Sequence, residues 1–204
     1  MTAGALDRLI KRASAGGREA PERCELCDAP IADGHAHVLD ERNGELLCAC
    51  RACALLFERG AAGRGHYRLV PRRRIRLTGL RTAGLGVPVG LVFFVVGRDG
   101  AVTARYPGPV GATTWTVHPA AWTDVIADCA ALASMRPAVE ALLISTVRDA
   151  DEQWLVPIDD CLRLVGVIKR AWTGLSGGQR VWSDIEAFFG GLADGDSRTR
   201  LEGL

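Results

Sequence analysis

An α+β fold in two parts is predicted: a small cysteine-rich metal module, then a domain built on a mostly antiparallel sheet with helices towards its C-terminal end. Three observations carry this expectation. Two C-x2-C pairs, Cys24/Cys27 and Cys50/Cys53, are separated by 22 residues, the spacing of a four-thiolate metal site. After about residue 83, short apolar or alternating runs are divided by turn clusters rich in Gly, Pro and Asp, as in strands joined by tight connections. The last stretch carries apolar residues at helical spacing.

With 204 residues and 48% apolar content, the chain has room for one ordinary domain plus a small one. We divide it into a flexible N-terminus (1–21), a four-cysteine metal-binding module (22–60), an Arg-rich connector (61–82) and an α+β domain (83–204). The seven cysteines are an odd number, and five lie within thirty residues. That distribution fits bound metal in a reducing compartment better than a disulfide framework. The residues before Cys24 show no long apolar core, and the longest apolar run, Leu85–Val96, is short and broken by Gly86, Pro88 and Gly90. Neither a secretory leader nor a membrane span is expected, and a cytoplasmic location is.

Within the module, Cys24-Glu-Leu-Cys27 reads as a knuckle, a tight turn that points two thiolates at one ion. His35 and His37 lie in an extended run, and Asn43-Gly44 marks a hairpin between that run and Glu45–Cys50. Cys50-Arg-Ala-Cys53 leads straight into Ala54–Arg59, which stops at Gly60 and reads as a short helix. Knuckle, hairpin, then a helix whose first turn carries the last two cysteines is a treble-clef or zinc-ribbon-like layout. The start of a helix also favours thiolate. Cys24, Cys27, Cys50 and Cys53 are therefore the expected metal ligands. Cys48 is a fifth thiol that can replace one of them, lie behind them or stand free, and His35 and His37 are further candidate ligands. Zn(II) suits a closed tetrahedral site of four sulfurs. Iron, held in the rubredoxin manner, is the alternative, although rubredoxin knuckles usually carry Gly where this chain has Asp28 and Ala54.

Charge is unevenly spread. The net charge is +1, but Arg59 to Arg98 contains nine Arg and no Asp or Glu. Arg72, Arg73 and Arg74 beside His66 and Tyr67 can be read as a nucleic-acid grip. A strand edge, or a surface that docks a protein or pairs with the acidic remainder of the chain, is the favoured reading.

In the larger domain, Val87–Val96, Ala101–Arg105, Thr113–Val117, Val139–Val147 and Gln153–Pro157 read as strands, giving a sheet of about four or five. A helix is expected from His118-Pro119 to Met135, another over Cys161–Trp172 capped by Asp159, and a last one over Gln179–Leu192. Cys129 and Cys161 lie in apolar helical patterns and read as small buried hydrophobes. Leu175-Ser-Gly-Gly-Gln-Arg180 spells an ABC-transporter signature, but no Walker A loop accompanies it, and a helix-to-helix turn explains it. No catalytic constellation emerges: His118 and Asp159 are explained by helix starts.

Taken together, CELC, LLCACRACALLF, HYRLVP, WLVPIDDCLRLVG and GLSGGQRVW resemble an uncharacterised family of actinobacterial and related bacterial proteins, often encoded beside high-affinity, oxygen-tolerant nickel–iron hydrogenases. The likeness runs from about residue 22 to residue 192. It brings no catalytic residue. It implies an accessory, maturation or electron-transfer role with a hydrogenase component or maturation factor as protein partner.

Overall fold

The protein is described by a computed structural model over residues 22–58, 65–86, 90–127, 129–174 and 177–201. The 1–21 segment, Gly60 and the Leu175-Ser176 pair of the sequence reading lie outside those residues. Two compact units divide between Pro71 and Arg72.

The first unit opens with the knuckle, followed by strands β1 (Ala36–Asp40) and β2 (Glu45–Ala49), helix α1 (Arg51–Phe57) and strand β3 (Tyr67–Leu69). The sheet order is β2-β1-β3, antiparallel throughout. The β1–β2 register runs from Ala36 opposite Ala49 to Asp40 opposite Glu45, so the connection is the four residues Glu41–Gly44. Gly44 takes φ 69° at its end, a left-handed conformation that costs glycine little. Arg42 folds back on the turn, and its backbone N–H and guanidinium donate to the Asp40 carboxylate. The Arg42 guanidinium holds Asp40 below the usual carboxylate range.

Side chains alternate across a strand, and directly opposed residues share a face. Val38 and Ala49 therefore lie on one face, where they pack with Phe57 of α1 and with Leu26, Cys53, Tyr67 and Leu69. His37, Leu39, Leu46 and Cys48 lie on the other.

In the second unit, a six-stranded antiparallel sheet has the order β4-β9-β8-β5-β6-β7. Its strands are β4 (Ile75–Leu77), β5 (Leu91–Val96), β6 (Val102–Gly108), β7 (Gly111–Thr116), β8 (Glu140–Ser145) and β9 (Glu152–Pro157). Its helices are α2 (Pro119–Ala127), α3 (Ala130–Ala133), α4 (Ile158–Ala171) and α5 (Gly178–Leu201). Central strands β5 and β8 are apolar along almost their whole length and buried, as strands covered on both faces must be. One core contains Val92, Phe94, Trp122, Val125, Leu142 and Leu155. No helix among the described residues is long and apolar enough to cross a membrane.

Several expectations are amended. Among the described residues the larger sheet has six strands, because the segment read as an Arg-rich connector, which gives β3 to the first unit, also supplies this sheet with its edge strand β4. The expected 118–135 helix is two: Cys129 takes extended angles (φ −135°, ψ 98°) and separates α2 from α3. Strand β6 continues through Pro107 to Gly108, leaving only Pro109 and Val110 as the turn. Helix α4 begins at Ile158 with Pro157 at the cap position, so Asp159 sits inside the first turn and does not cap it. Gly177 and Gly178 both have positive φ, and a side chain at Gly177 would meet Val181 at 2.8 Å. The glycines of the LSGGQ-like run thus make the turn into α5.

Arg73 and Arg74 face inward to acids. Arg73 pairs with Glu140, which is fully buried, and Arg74 with Asp160, also buried. Two of the three adjacent guanidiniums proposed to grip phosphate are therefore already matched to carboxylates, as the pairing with an acidic internal surface required.

Candidate metal centre

The knuckle is held by a small set of backbone bonds. Cys24 N–H donates to Ala29 O at 2.8 Å, Asp28 N–H donates to Cys24 O at 2.8 Å, and Arg23 bridges Pro30 in antiparallel fashion. Asp28, immediately after the second knuckle cysteine, has φ 61°. That conformation is unfavourable for most L-residues and tolerated by Asp. Arg23 secures it by donating from Nη1 to the Asp28 carbonyl and, at 3.0 Å, to its carboxylate.

Glu25, inside the knuckle, ties it to β2. Its N–H donates to Cys48 O at 2.8 Å, and its carboxylate accepts from Cys48 N–H at 2.7 Å. This two-way clasp carries the knuckle to the end of the hairpin, where Cys50 caps α1 and accepts from Cys53 N–H at 3.4 Å. The sequence reading missed Glu25. Its only signal was an acidic residue between two thiols.

The outcome is that Cys24, Cys27, Cys50 and Cys53 converge, their sulfurs all within 4.8 Å of one another. Cys27 and Cys50 sulfurs are 3.7 Å apart. A tetrahedral ion with metal–sulfur bonds of about 2.3 Å sets its ligands roughly 3.8 Å apart, so the cluster has the dimensions of a four-thiolate metal site. Cys24 is buried, Cys50 and Cys53 are half-buried and Cys27 is exposed.

The thiols are electrostatically unequal. Burial raises Cys24, but the N–H groups of Cys50, Leu26 and Cys27 aimed at its sulfur outweigh that and bring its pKa to about 6. Burial, with the crowding of the Cys27, Cys50 and Cys24 sulfurs, pushes Cys53 up to about 12. Ala29 N–H pulls Cys27 down, yet the neighbouring thiols leave it raised overall. One anion is thus favoured and further anions are opposed by the first. A bound cation removes that opposition.

Cys48, His35 and His37 do not join this group. They form a second cluster, with Cys48 directly opposite His37 in the hairpin register and ligand atoms within 4.8 Å of one another. Cys161 is fully buried and its thiol pKa is raised by that burial, whereas Cys129 is half-buried. His118 accepts through Nδ1 from Ala120 N–H at 3.3 Å, a contact that starts α2.

Residues 23–196 match the model of a family of unknown function (DUF5947). Comparison with curated proteins and with solved structures finds no match.

Proposed function

The chain belongs to the DUF5947 family, a family of unknown function, and we propose that it is a zinc-binding accessory protein whose first unit is folded by the metal and which acts through contacts with another protein. The observation that carries this reading is the convergence of four cysteine sulfurs within 4.8 Å. Two arise from a knuckle and two from the start of a helix, with a hairpin between, an order that supports a treble-clef assignment. Cys24, Cys27, Cys50 and Cys53 would hold the ion, which would supply the folding free energy that so small a core does not.

Iron in the rubredoxin manner is the second reading, favoured by the left-handed Asp28, which gives the first knuckle the turn that glycine gives a rubredoxin. Against it, Ala54 lies within α1, so the second pair is borne on a helix and makes no second knuckle. Zinc is the better fit. The family resemblance supports a cytoplasmic place in the maturation or assembly of a nickel–iron hydrogenase, the partner being a hydrogenase component or maturation factor.

Metal analysis with an absorbance spectrum of the purified chain tests the metal. Zinc without visible absorbance supports the proposal, whereas a red chain bleached by dithionite selects iron. Loss of metal from the Cys24→Ser/Cys53→Ser variant is expected, and unchanged metal content in that variant overturns the ligand assignment. Co-purification with a hydrogenase component tests the partner, and its absence from hydrogenase complexes isolated under mild conditions would remove that part of the reading.

A further inference from the structure

The hairpin has a second face, and three metal-ligating side chains meet there. His37 and Cys48 are opposed in the β1–β2 ladder, and the His35 ring sits edge-on to the His37 ring with centroids 4.8 Å apart. We infer that His35, His37 and Cys48 form a second zinc site, with three protein ligands and the fourth position open.

Three observations support the assignment. First, the donor set is suitable: two imidazoles and one thiolate suit zinc, and three protein ligands leave a position for water or a fourth donor. Their ligand atoms lie within 4.8 Å of one another, and a tetrahedral ion asks for separations of roughly 3.3–3.6 Å between such donors.

Second, His35 is arranged as a metal ligand is. Its Nδ1 lies 3.2 Å from Ala32 O and 3.3 Å from the Glu22 carboxylate. An acceptor on that nitrogen fixes the proton there and leaves the lone pair on Nε2, the arrangement that accompanies metal-bound histidine. Third, His35 Nε2 is buried and has no hydrogen-bond partner among the described residues. An unpaired buried nitrogen costs stability, and in a His-Cys cluster a metal ion is the partner to which such a lone pair donates.

The two sites are chemically different. Cys53 packs with Val38 and Ala49, on the face of the hairpin opposite to His37 and Cys48. The four-thiolate cluster is closed. The second cluster, with His35 and His37 half-buried, leaves its fourth position for an exchangeable donor. The inference does not depend on the four-thiolate reading, since no ligand is shared.

The test is anaerobic titration of the metal-free, untagged full chain with Co(II), followed by displacement with Zn(II). Two Co(II) per chain are expected, one with the intense charge-transfer bands of four thiolates and one with the weaker band of a single thiolate. His37→Asn and Cys48→Ala should each lower the stoichiometry from two to one and keep the thiolate-rich spectrum, which also shows that the variant has folded. Glu22→Gln should keep both ions and weaken the second by roughly 10- to 100-fold. In the unmodified chain, long-range ¹⁵N histidine spectra should show His35 and His37 moving with the binding of a zinc ion, with His35 coordinating through Nε2 and protonated at Nδ1.

A wild-type chain that saturates at one thiolate-rich Co(II), variants that still bind two ions, or histidine signals unmoved at zinc saturation would each overturn the inference. A chain that takes one ion, with the single-thiolate spectrum and shifted histidines, would support it while defeating the four-thiolate reading.

Discussion

Arg73 grips the Glu140 carboxylate with two guanidinium nitrogens, Nε to Oε1 at 2.5 Å and Nη2 to Oε2 at 2.8 Å, across 67 residues of chain. Glu140 is 0% exposed, and it also accepts from Arg136 N–H at 2.6 Å, while Arg73 donates to Ser134 O at 2.8 Å. The pair fixes the segment before β4 to the start of β8.

Removing one partner leaves the other charge buried, which is costlier than removing both. Arg73→Ala is expected to destabilise the second unit by about 3 kcal/mol, the low end of the range for broken buried pairs, because the guanidinium is itself partly exposed. Arg73→Met with Glu140→Leu should recover most of the loss. Urea unfolding followed by tryptophan fluorescence measures both, and a single variant within about 0.5 kcal/mol of wild type would exclude this role for the pair.

Metal removal should affect the two units differently. The first unit has a buried cluster of Val38, Ala49 and Phe57, too small to hold it without the ion, whereas the second has a full core of its own. A strong zinc chelator should therefore expose the 22–71 region to protease and leave the second unit folded. All five tryptophans, at 115, 122, 154, 172 and 182, lie in the second unit. Chelation should accordingly leave the tryptophan emission unchanged, and amide signals of Val38 and Ala49 should collapse. Retention of those signals after complete metal loss would show that the first unit folds alone.

The unequal thiols set the pH dependence of metal uptake. Near pH 7.5, Cys24, at about 6, is already largely ionised, whereas Cys53, at about 12, and the raised Cys27 hold their protons. Each must lose a proton to bind, so affinity falls as pH falls. At least two protons should leave per ion at that pH, and one more once the pH drops below about 6 and Cys24 is protonated too. Proton release measured in weak buffer, or by calorimetry in buffers of different ionisation enthalpy, reads this number directly. A count that stays level across that interval would contradict the assignment to Cys24.

Ala138 takes φ 66° in the turn before β8, where its N–H donates to Val96 O at 2.8 Å. A left-handed conformation costs a residue with a Cβ about 1 kcal/mol, and glycine is free of that cost. Ala138→Gly should raise the stability of the second unit by about 0.5 kcal/mol, the entropy of the more flexible unfolded chain offsetting the rest. Thermal or urea unfolding gives the sign, and a clear loss would show that the Cβ contributes packing there.

What the sequence made legible was whatever is local. The CELC knuckle, the Asn43-Gly44 turn and the short helix after Cys50 each rest on neighbouring residues, and so do strands as uniform as Leu91–Val96. Pairing across long separations was not legible. Nothing near Arg73 or Arg74 points to Glu140 or Asp160, and the adjacent Asp159 drew attention as a cap because helix α4 starts two residues earlier than the carboxylates suggest. Ile75-Arg-Leu77 did alternate like a strand, but three residues among arginines gave too short a period to assign. Cys48 was ambiguous for a specific reason. Equal spacing along a strand places 48 and 50 alike, but Cys50 has left the ladder to cap α1, and only the register shows that Cys48 belongs with His37.

That register has a further consequence. The side-chain period of a strand is two, so sliding β2 by one residue against β1 would bring Leu47 or Ala49 opposite His37 and turn the whole row over. The hairpin would remain fully hydrogen-bonded while the His37–Cys48 opposition vanished. The Asp40–Arg42 clasp and the left-handed Gly44 at the turn thus act as an alignment key: three residues, none of them a ligand, decide which residues face which cluster.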